Sequence, residues 1–205
     1  MEFYDVVKNR RTVREWSDKE VSEQCIRRII EAGLAAPSNN HLREWDFIVL
    51  RSDAEKDVAL KFVQEWAQKQ EESKLTMTGI TPVQRMYQYA MPRQYTMLSQ
   101  APYVIMPVFK AGDHLYQASS VNQLNSFASI WCVIENIFLA ATAEGMAYSM
   151  RIPVGEEGKN VATALSVPTG YIIPCYIGIG YPSDTCKQIE RITYTADQKM
   201  HFGKW

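Results

Sequence analysis

The chain has 205 residues, of which 46% are hydrophobic, and its 22 Lys and Arg nearly balance its 23 Asp and Glu, for a formal net charge of -1. This length and composition predict one globular domain and exclude an intrinsically disordered chain. The balanced charge disfavours a general nucleic-acid or membrane binder, because such proteins usually carry an excess of basic residues.

Three features of the sequence predict a cytoplasmic protein. Residues 1–5 contain two acidic residues and no apolar stretch, so we expect no signal peptide. The longest apolar run, residues 127–143, carries Glu135 and Asn136 near its middle, which favours a buried helix over a membrane helix. The cysteines form no CxxC pair and are too few for a disulfide scaffold, so we predict free thiols. They are Cys25, Cys132, Cys175 and Cys186.

Apolar periodicity and capping residues predict the elements of the N-terminal half. A first helix is expected over residues 2–9, and a second from an N-cap at Ser22 to residues 35–36, since Pro37 disfavours helix in the residue before it. Residues 38–44 predict a loop and residues 45–50 a strand. Ser52 and Glu55 form a capping box that predicts a helix over residues 53–70.

The C-terminal half begins with a polar connection over residues 71–79. Thr81 and Pro82 predict a helix start, and this helix is expected to reach about residue 98. Residues 102–109 predict a strand near a sheet edge, because Pro107 cannot donate to a ladder. The elements that follow are a core helix, a strand, a short helix and a strand. Their predicted ranges are 126–144, 146–152, 158–166 and 172–179.

Two regions of the sequence are rich in aromatic residues. The tail, residues 183–205, ends with Met200, Phe202 and Trp205, which we expect to be buried against another surface. Residues 86–95 contain a stripe of tyrosine and methionine that fits a lid, an interface or the core, and core is the commonest place for such a stripe. The stripe comprises Met86, Tyr87, Tyr89, Met91 and Tyr95.

The order of elements limits the fold class. Two helices precede the first strand, two more precede the second, and one helix precedes each later strand. This order predicts a three-layer α/β or α+β domain with a sheet of about four or five strands. Since the alternation is not a regular βαβ repeat, a Rossmann fold is not favoured.

The first candidate site is the basic cluster of residues 10–14, directly after the first predicted helix. Arg10, Arg11, Thr12 and Arg14 place three guanidinium groups and a hydroxyl within five residues. Such a cluster is suited to a phosphate and to carbonyl oxygens, because the planar fork of arginine donates two parallel hydrogen bonds. A solvated charged turn explains the composition equally well, since charged clusters are usually exposed.

The second and third candidates are a polar loop and a turn. The loop contains Pro37, Ser38, Asn39, His41 and Arg43 before the first predicted strand, a place where binding groups concentrate, although an ordinary Ser/Asn turn is an alternative. The turn contains Pro153, Val154 and Gly155 and leads into a helix, so its N–H groups are free to donate to an anion or an electron-rich ring. A plain strand-to-helix connection is the alternative for the turn.

The sequence contains none of the common nucleotide, metalloprotease or hydrolase motifs. GxGxxG, GxxxxGK[ST], HExxH and GxSxG are all absent, and the three histidines are scattered, so no metal site and no catalytic triad are predicted. A bound phosphorylated cofactor would explain all three candidate segments, although their spacing alone does not identify it.

Four segments in this order resemble the FMN-dependent nitroreductase family. KNRRTVREW is similar to the RRSxR segment of that family, and AAPSNNHLREWDFIVL to its Ala-Pro-Ser loop and NxQPW-type strand start. SIWCVIENIFLAATAEGMAYS resembles the long core helix with its Asn and Gly turn, and LSVPTGYIIPCYIGIGYP the LGLPEGYxPVALIALGYP ending. Each segment is weak alone, but four in the same order are fairly specific.

The resemblance implies a fold and an assembly. The fold would be α+β, with three α/β/α layers, a mixed, mainly antiparallel sheet of about four or five strands, and one domain over residues 1–205. The assembly would be an intertwined homodimer with FMN at the subunit interface. We expect a substrate lid over about residues 71–95 and a C-terminal tail, residues 183–205, that packs on the partner subunit.

The resemblance also implies the cofactor-binding residues. The basic cluster would hold the FMN phosphate, ribityl chain and pyrimidine edge, the polar loop would reach the flavin from the other subunit, and the turn would present N–H groups to flavin N5. Lys187 or Arg191 would supply a last phosphate contact. The implied set is Arg10, Arg11, Thr12, Arg14, Pro37, Ser38, Asn39, His41, Arg43, Pro153, Val154, Gly155, Lys187 and Arg191.

The polar loop departs from the family pattern at three positions. His41, Arg43 and Glu44 stand where Asn, Gln and Pro are usual. Arg43 would place a cation near the expected flavin pocket, where it would stabilise an anionic reduced flavin or an acidic substrate. Alternatively, Arg43 pairs with Glu44 and does neither.

The leading functional hypothesis is an FMN-dependent oxidoreductase. NAD(P)H would reduce FMN, and the reduced FMN would reduce a second small-molecule acceptor in a ping-pong order, with no side chain acting as acid or base. One alternative is an FMN-binding sensor or carrier without turnover. Another is a structural α/β module in which Arg10 and Arg14 contact no ligand.

Overall fold

The computed structural model describes residues 1–72, 81–111, 115–187, 189 and 191–205. Residues 73–80 of the predicted lid lie outside the described residues. Among the described residues the helices are α1 (Phe3–Asn9), α2 (Glu23–Leu34), α3 (Asp53–Glu72), α4 (Pro82–Ala90), α5 (Thr96–Ser99), α6 (Asn125–Ala143) and α7 (Glu157–Ala164). The strands are β1 (Trp45–Leu50), β2 (Tyr103–Lys110), β3 (Ala147–Arg151), β4 (Tyr171–Ile172) and β5 (Tyr176–Gly180).

Local signals in the sequence set most helix ends. The side chain of Ser22 accepts a hydrogen bond from the Cys25 N–H and so caps α2 as predicted. Thr81 and Gln84 form the predicted capping box at the start of α4. At the other end of α6, Gly145 has a φ of +75°, a conformation that glycine adopts without strain.

The sheet has five strands in the order β1-β2-β5-β3, with β4 also paired to β2, and each of these pairs is antiparallel. Alternate residues of β2 enter two different cores. Tyr103, Ile105 and Phe109 join a cluster with α2 and α6, whereas Val104, Met106 and Val108 join a cluster with α3, α5 and α7. Helices therefore cover both faces of the sheet, which confirms the predicted three layers.

The prediction that β2 lies near a sheet edge is wrong. This strand pairs with β1 from Val104 to Phe109 and with β5 and β4 on its other side. Pro107 lies between the stretch paired with β5, which ends at Ile105, and the stretch paired with β4, which begins at Phe109. A proline that lacks an N–H is tolerated in this interior strand because no neighbour pairs with it on that side.

Two predicted elements are interrupted at prolines. The helix expected to reach residue 98 stops at Ala90, and a 3₁₀ turn (Met91–Arg93) that contains Pro92 separates it from α5. The strand expected over residues 172–179 is split into β4 and β5 around Pro174. In both places the ring removes a backbone donor and restricts the preceding residue.

Helix α6 is the centre of one core. On length and composition the segment Val121–Ala143 is apolar enough to cross a membrane. However, Ile130, Ile134 and Ile137 are fully buried in the cluster that α6 shares with α2 and the sheet. All four cysteines are free thiols, as predicted, and Cys175 is the buried one.

The contact between α2 and the end of α6 predicts a pH effect on stability. Arg28 donates to Glu144 through Nε (2.8 Å) and Nη2 (2.7 Å), and these bonds hold the pKa of Glu144 below its usual value. Because the folded-state pKa is the lower one, the stabilisation is complete above the unfolded-state pKa of about 4.5 and is lost as the pH falls below that value and through the lower folded-state pKa. Urea unfolding should therefore show Glu144→Gln less stable than wild type at neutral pH, and a gap that closes on acidification. A gap independent of pH would contradict this.

Candidate functional site: a cationic cleft

Backbone pairing brings the basic cluster of residues 10–14 beside the chain that follows β5. The Val13 N–H donates to the Tyr148 carbonyl (2.8 Å), and Thr12 forms a parallel bridge with Tyr148 at the outer side of β3. Further along, the Ser17 N–H donates to the Tyr181 carbonyl (3.0 Å), and the Ser183 N–H donates to the Glu15 carbonyl (3.1 Å). Residues 12–17 therefore run between β3 and residues 181–183.

These segments enclose a cleft of about 820 Å³, a volume typical of small-molecule sites. The N-terminal segment contributes five residues with basic or polar side chains, α4 and the turn after it contribute mostly apolar ones, and the segment after β5 contributes further basic and polar ones. The lining includes Asn9, Arg10, Arg11, Thr12, Arg14, Met86, Tyr87, Ala90, Met91, Gln94, Met146, Ala147, Ser183, Asp184, Cys186, Lys187 and Arg191.

Arg10 and Arg191 are held at one end of the cleft by neighbouring groups. Arg10 donates to the Tyr148 hydroxyl, and its Nε lies 3.3 Å from Oε1 of Glu135 on α6. Arg191 donates to the Arg10 carbonyl and, at 3.3 Å, to the Lys8 carbonyl. The C-terminal segment is thus fastened to the basic cluster through backbone oxygens, which leaves the charge of Arg191 without a carboxylate partner among the described residues.

The protein holds Arg14 as a partly buried cation. Its Nε is shielded from solvent and has no hydrogen-bond partner among the described residues. Burial lowers the pKa of Arg14, and the nearby charge of Arg93 lowers it further. Burial also lowers the pKa of Arg191, with Arg11 and Arg10 adding to the effect. Since a depressed arginine pKa means that the positive charge is disfavoured where it lies, an anion bound in the cleft would stabilise it.

Glu15, next to Arg14 in the chain, is held by two other side chains. It accepts hydrogen bonds from Nε of Arg93 (3.0 Å) and from the hydroxyl of Tyr89 (3.2 Å). Burial raises the pKa of Glu15, but these hydrogen bonds lower it by more, and the net pKa lies below its usual value. Because Glu15 is engaged by Arg93, it does not neutralise Arg14, which lies 5.8 Å from the ring centre of Tyr89.

The side of the cleft formed by α4 is mainly apolar. Met86, Tyr87 and Met91 all line it, and Tyr87 remains 52% exposed. Of the three places left open for this stripe, the core does not hold for these three residues, because α4 covers a cleft instead of packing directly on the sheet. Tyr95, by contrast, packs on the core cluster of α3, α5 and α7.

The fold and the cleft can now be compared with known proteins. The model of the Nitroreductase family matches residues 7–181. The chain belongs to the nitroreductase family. Within this family, a provisionally named NADH dehydrogenase/NAD(P)H nitroreductase from Methanothermobacter thermautotrophicus is 24% identical, with 100% of this chain and 88% of the relative covered. Human iodotyrosine deiodinase 1 is also 24% identical, over 89% of this chain and 62% of the relative.

Solved structures share the fold at lower identity. An FMN- and NADPH-dependent nitroreductase variant from Sphigopyxis sp. strain HMH superposes with a TM-score of 0.73 at 16% identity over all of both chains. An iodotyrosine deiodinase bound to FMN and 3-iodo-L-tyrosine superposes with a TM-score of 0.75 at 15% identity, again over all of both chains. These likenesses confirm the predicted α+β nitroreductase-like fold.

The cofactor-binding residues implied by the family resemblance lie in three separate parts of the structure. The basic cluster and both C-terminal candidates, Lys187 and Arg191, line the cleft together. In the part of the chain that the structure describes, the polar loop and the turn after β3 do not line it. The sequence interpretation missed Gln94 and Cys186, for which no local motif exists, because only the packing of α4 and of residues 183–187 brings them to the cleft.

The polar loop forms a strained cluster beside the N-terminal end of α6. Asn40, His41 and Arg43 have φ values of 51°, 54° and 49°, a left-handed conformation that is uncommon for residues other than glycine. The Asn39 N–H donates to the Ser129 hydroxyl (3.0 Å), while the buried Ser38 hydroxyl has no partner among the described residues. Strain and an unsatisfied hydroxyl on one loop are typical of a binding site.

The pairing of Arg43 with Glu44, one of the two alternatives, does not form. Glu44 is bonded to Lys110 of β2 at 2.8 Å instead. Arg43 is exposed and has no acidic partner among the described residues. The other alternative, a cation available to a flavin or an acidic substrate, therefore stays a prediction.

The turn after β3 is exposed at the surface of the single chain. Gly155 has a φ of +54°, and Val154 is 45% exposed. The turn is closed by a hydrogen bond from the Glu157 N–H to the Val154 carbonyl (3.1 Å). Val154, Gly155 and Glu156 are all exposed just before α7, so the turn is accessible, as a donor site requires.

Proposed function

We propose that this chain is an FMN-dependent oxidoreductase that uses NAD(P)H to reduce a second small molecule in a ping-pong order. The observation that carries the proposal is the cationic cleft in a chain of the nitroreductase family, lined by Arg14, whose partly buried guanidinium has no carboxylate partner among the described residues. Relatives and structural neighbours named as NAD(P)H nitroreductases or solved with FMN support the same chemistry.

The cleft fits a phosphorylated cofactor. Arg10, Arg11, Arg14, Lys187 and Arg191 line it, against a single acidic lining residue in the described part of the chain, Asp184. A phosphate carries a charge of about -1.5 to -2 near neutral pH, so it would offset the mutual repulsion of these cations. Thr12 adds a hydroxyl, and the bidentate geometry of arginine suits phosphate oxygens.

Bound FMN would supply the two-electron redox chemistry, and the side chains would supply binding and orientation. We assign Arg10, Arg11, Thr12, Arg14, Lys187 and Arg191 to the phosphate, ribityl chain and pyrimidine edge. Met86, Tyr87 and Met91 would cover the ring and exclude water from it. No side chain is assigned as an acid or base in this proposal, because the flavin itself carries the redox chemistry.

In this proposal the chain forms a homodimer, and the polar loop acts in the site of the partner subunit. Pro37, Ser38, Asn39, His41 and Arg43 form a separate cluster that would complete the flavin site of the partner subunit. The exposed ends of the chain support an assembly, since Phe3 and Tyr4 are 64% and 83% exposed and Phe202 and Trp205 are 88% and 100% exposed. Such apolar exposure at both ends is typical of surfaces that a partner covers.

Three further assignments belong to the same proposal. Residues 71–95 would act as the substrate lid, of which α4 is the described part. Residues 183–205 would pack on the partner beyond the cleft. We place the protein in the cytoplasm, in keeping with four free thiols.

A spectroscopic titration tests the proposed function. Purified protein should be yellow or become yellow with added FMN, and NAD(P)H should bleach the bound flavin in a stopped-flow experiment. Adding a small nitroaromatic or quinone acceptor should then restore the colour. A protein that binds no FMN contradicts the proposal. Binding with dithionite bleaching but no reaction with NADH or NADPH would instead favour the alternative, an FMN-binding sensor or carrier.

A further inference from the structure

A buried ion pair spans the turn after β3. Arg151, the last residue of β3, is 3% exposed, and Glu157, the first residue of α7, is 6% exposed. Nε of Arg151 donates to Oε1 of Glu157 at 2.9 Å, and Nη2 donates to the second oxygen, so the contact is bidentate. The pair ties the two ends of residues 152–156 together through side chains.

The same guanidinium also reaches the cleft. Nη1 of Arg151 donates to Oε1 of Gln94 at 3.2 Å. The guanidinium carbon, Cζ, lies 4.3 Å from the ring centre of Trp66 on α3. Because arginine can only donate, Gln94 must point its oxygen at Arg151, and its amide nitrogen then donates to the Ala90 carbonyl at 3.1 Å. Gln94 lines the cleft, so Arg151 fixes one cleft side chain and one end of the turn at once.

Stability alone is a weak reason for such a pair. Removing two charges from water costs free energy that their attraction only partly offsets, and well-packed apolar replacements of buried pairs are often neutral or stabilising. Few backbone contacts hold the turn itself. Among the described residues, the hydrogen bond that closes it runs from the Glu157 N–H to the Val154 carbonyl, and Gly155 has a positive φ. A bidentate pair between rigid elements supplies what the turn lacks, a defined separation of its two ends.

We infer that Arg151 and Glu157 are positioning residues that set the geometry of the turn at residues 153–155 and the orientation of Gln94 in the cleft, and thereby tune the bound flavin. This inference rests on the proposed function together with the contact between that turn and the flavin ring that the family resemblance implies. The phosphate-binding cations lie on other segments, at residues 10–14 and 187–191. The pair should therefore affect the electronic properties of bound FMN much more than its affinity.

The test replaces both charges with apolar side chains in the double variant Arg151→Met, Glu157→Leu. We expect a folded protein with an unchanged or higher melting temperature and with faster hydrogen exchange at the backbone amide of position 157, by about tenfold. The FMN Kd should change by less than about threefold. The midpoint potential and the visible absorption bands of bound FMN should shift, which a purely structural role would not produce.

Two further variants make the result unambiguous. Glu157→Gln keeps the shape and one acceptor, so it should show the same shifts at smaller size even if the double variant does not fold. Lys159→Ala removes an exposed cation that pairs with Glu156 beside the same turn, and it should change neither the exchange nor the potential.

The inference is overturned if the double variant, or Glu157→Gln in its place, keeps both the wild-type potential and the wild-type exchange at residue 157. A lower melting temperature with an unchanged potential overturns it as well, because that outcome describes a structural pair only. A wild-type protein that binds no FMN contradicts the proposed function instead, and the exchange measurement on the FMN-free chain then decides whether the pair fixes the turn.

Discussion

Replacing Arg14 with methionine is expected to weaken FMN binding by roughly 10- to 150-fold, the equivalent of one charge-assisted hydrogen bond of about 1.5–3 kcal/mol. Arg14 lines the cleft, and its guanidinium has no carboxylate partner among the described residues because Glu15 is engaged by Arg93, so a bound anion would be its first strong acceptor. Methionine keeps the apolar stem and removes only the guanidinium. Quenching of FMN fluorescence measures the Kd directly.

The same substitution should leave the FMN-free protein as stable as wild type or more stable. Burial and Arg93 both lower the pKa of Arg14, which means that folding disfavours its charge. Arg27→Ala is the matched control, because it removes an exposed cation that pairs with Glu23 on α2, away from the cleft. Equal FMN affinities for Arg14→Met and wild type would support the structural-module alternative, in which the basic cluster contacts no ligand.

Replacing Gly178 with valine is expected to lower the free energy of unfolding by about 3 kcal/mol or more. Gly178 lies in β5 between two strands, and a Cβ there would lie 2.5 Å from the Ser149 hydroxyl oxygen and 2.9 Å from the Met97 carbonyl oxygen. Those two atoms are hydrogen-bonded to each other at 2.9 Å, so the new side chain would break a buried bond as well as overfill the core. Chemical denaturation in urea, or loss of soluble protein, measures the effect.

Two further variants distinguish crowding at Gly178 from a general effect of placing valine in a strand. Gly178→Ala should be destabilising by less than Gly178→Val, because only one carbon must be accommodated. Asp46→Val introduces the same side chain at an exposed position of β1 and should stay within about 0.5 kcal/mol of wild type. If Gly178→Val unfolded at the same urea concentration as Asp46→Val, the close approach of α5 and β3 to β5 would not be a constraint.

Local chemistry made many element boundaries predictable. Ser22 and the Thr81 capping box begin helices because their side chains satisfy backbone donors within the same turn, a contact that needs no tertiary partner. The predictions failed where a distant partner decides the outcome. Pro107 reads as an edge signal, but it is accommodated inside the sheet because β5 and β4 pair with β2 on either side of it.

In the candidate site, too, local residues decide some features and distant contacts decide others. The composition of residues 10–14 predicts an anion site, but a solvated turn has the same composition. The choice depends on the docking of Val13 against Tyr148 and on the bond between Ser183 and Glu15, which bury Arg14 and bring Lys187 and Arg191 to the same cleft. Glu44 likewise pairs with Lys110, 66 residues away in the sequence, and not with its neighbour Arg43. The local sequence therefore could not decide this pairing.

The order of motifs along the chain was enough to place this protein in its family and to point to a phosphorylated flavin cofactor, because those motifs are short and their chemistry is carried by neighbouring residues. Only the tertiary structure decided four other features. They are the shape of the cleft, the burial of Arg14, the position of α4 over the cleft and the buried ion pair of Arg151 and Glu157. Each of them joins residues from separate elements, so its geometry depends on strand register and helix packing, which no local segment encodes.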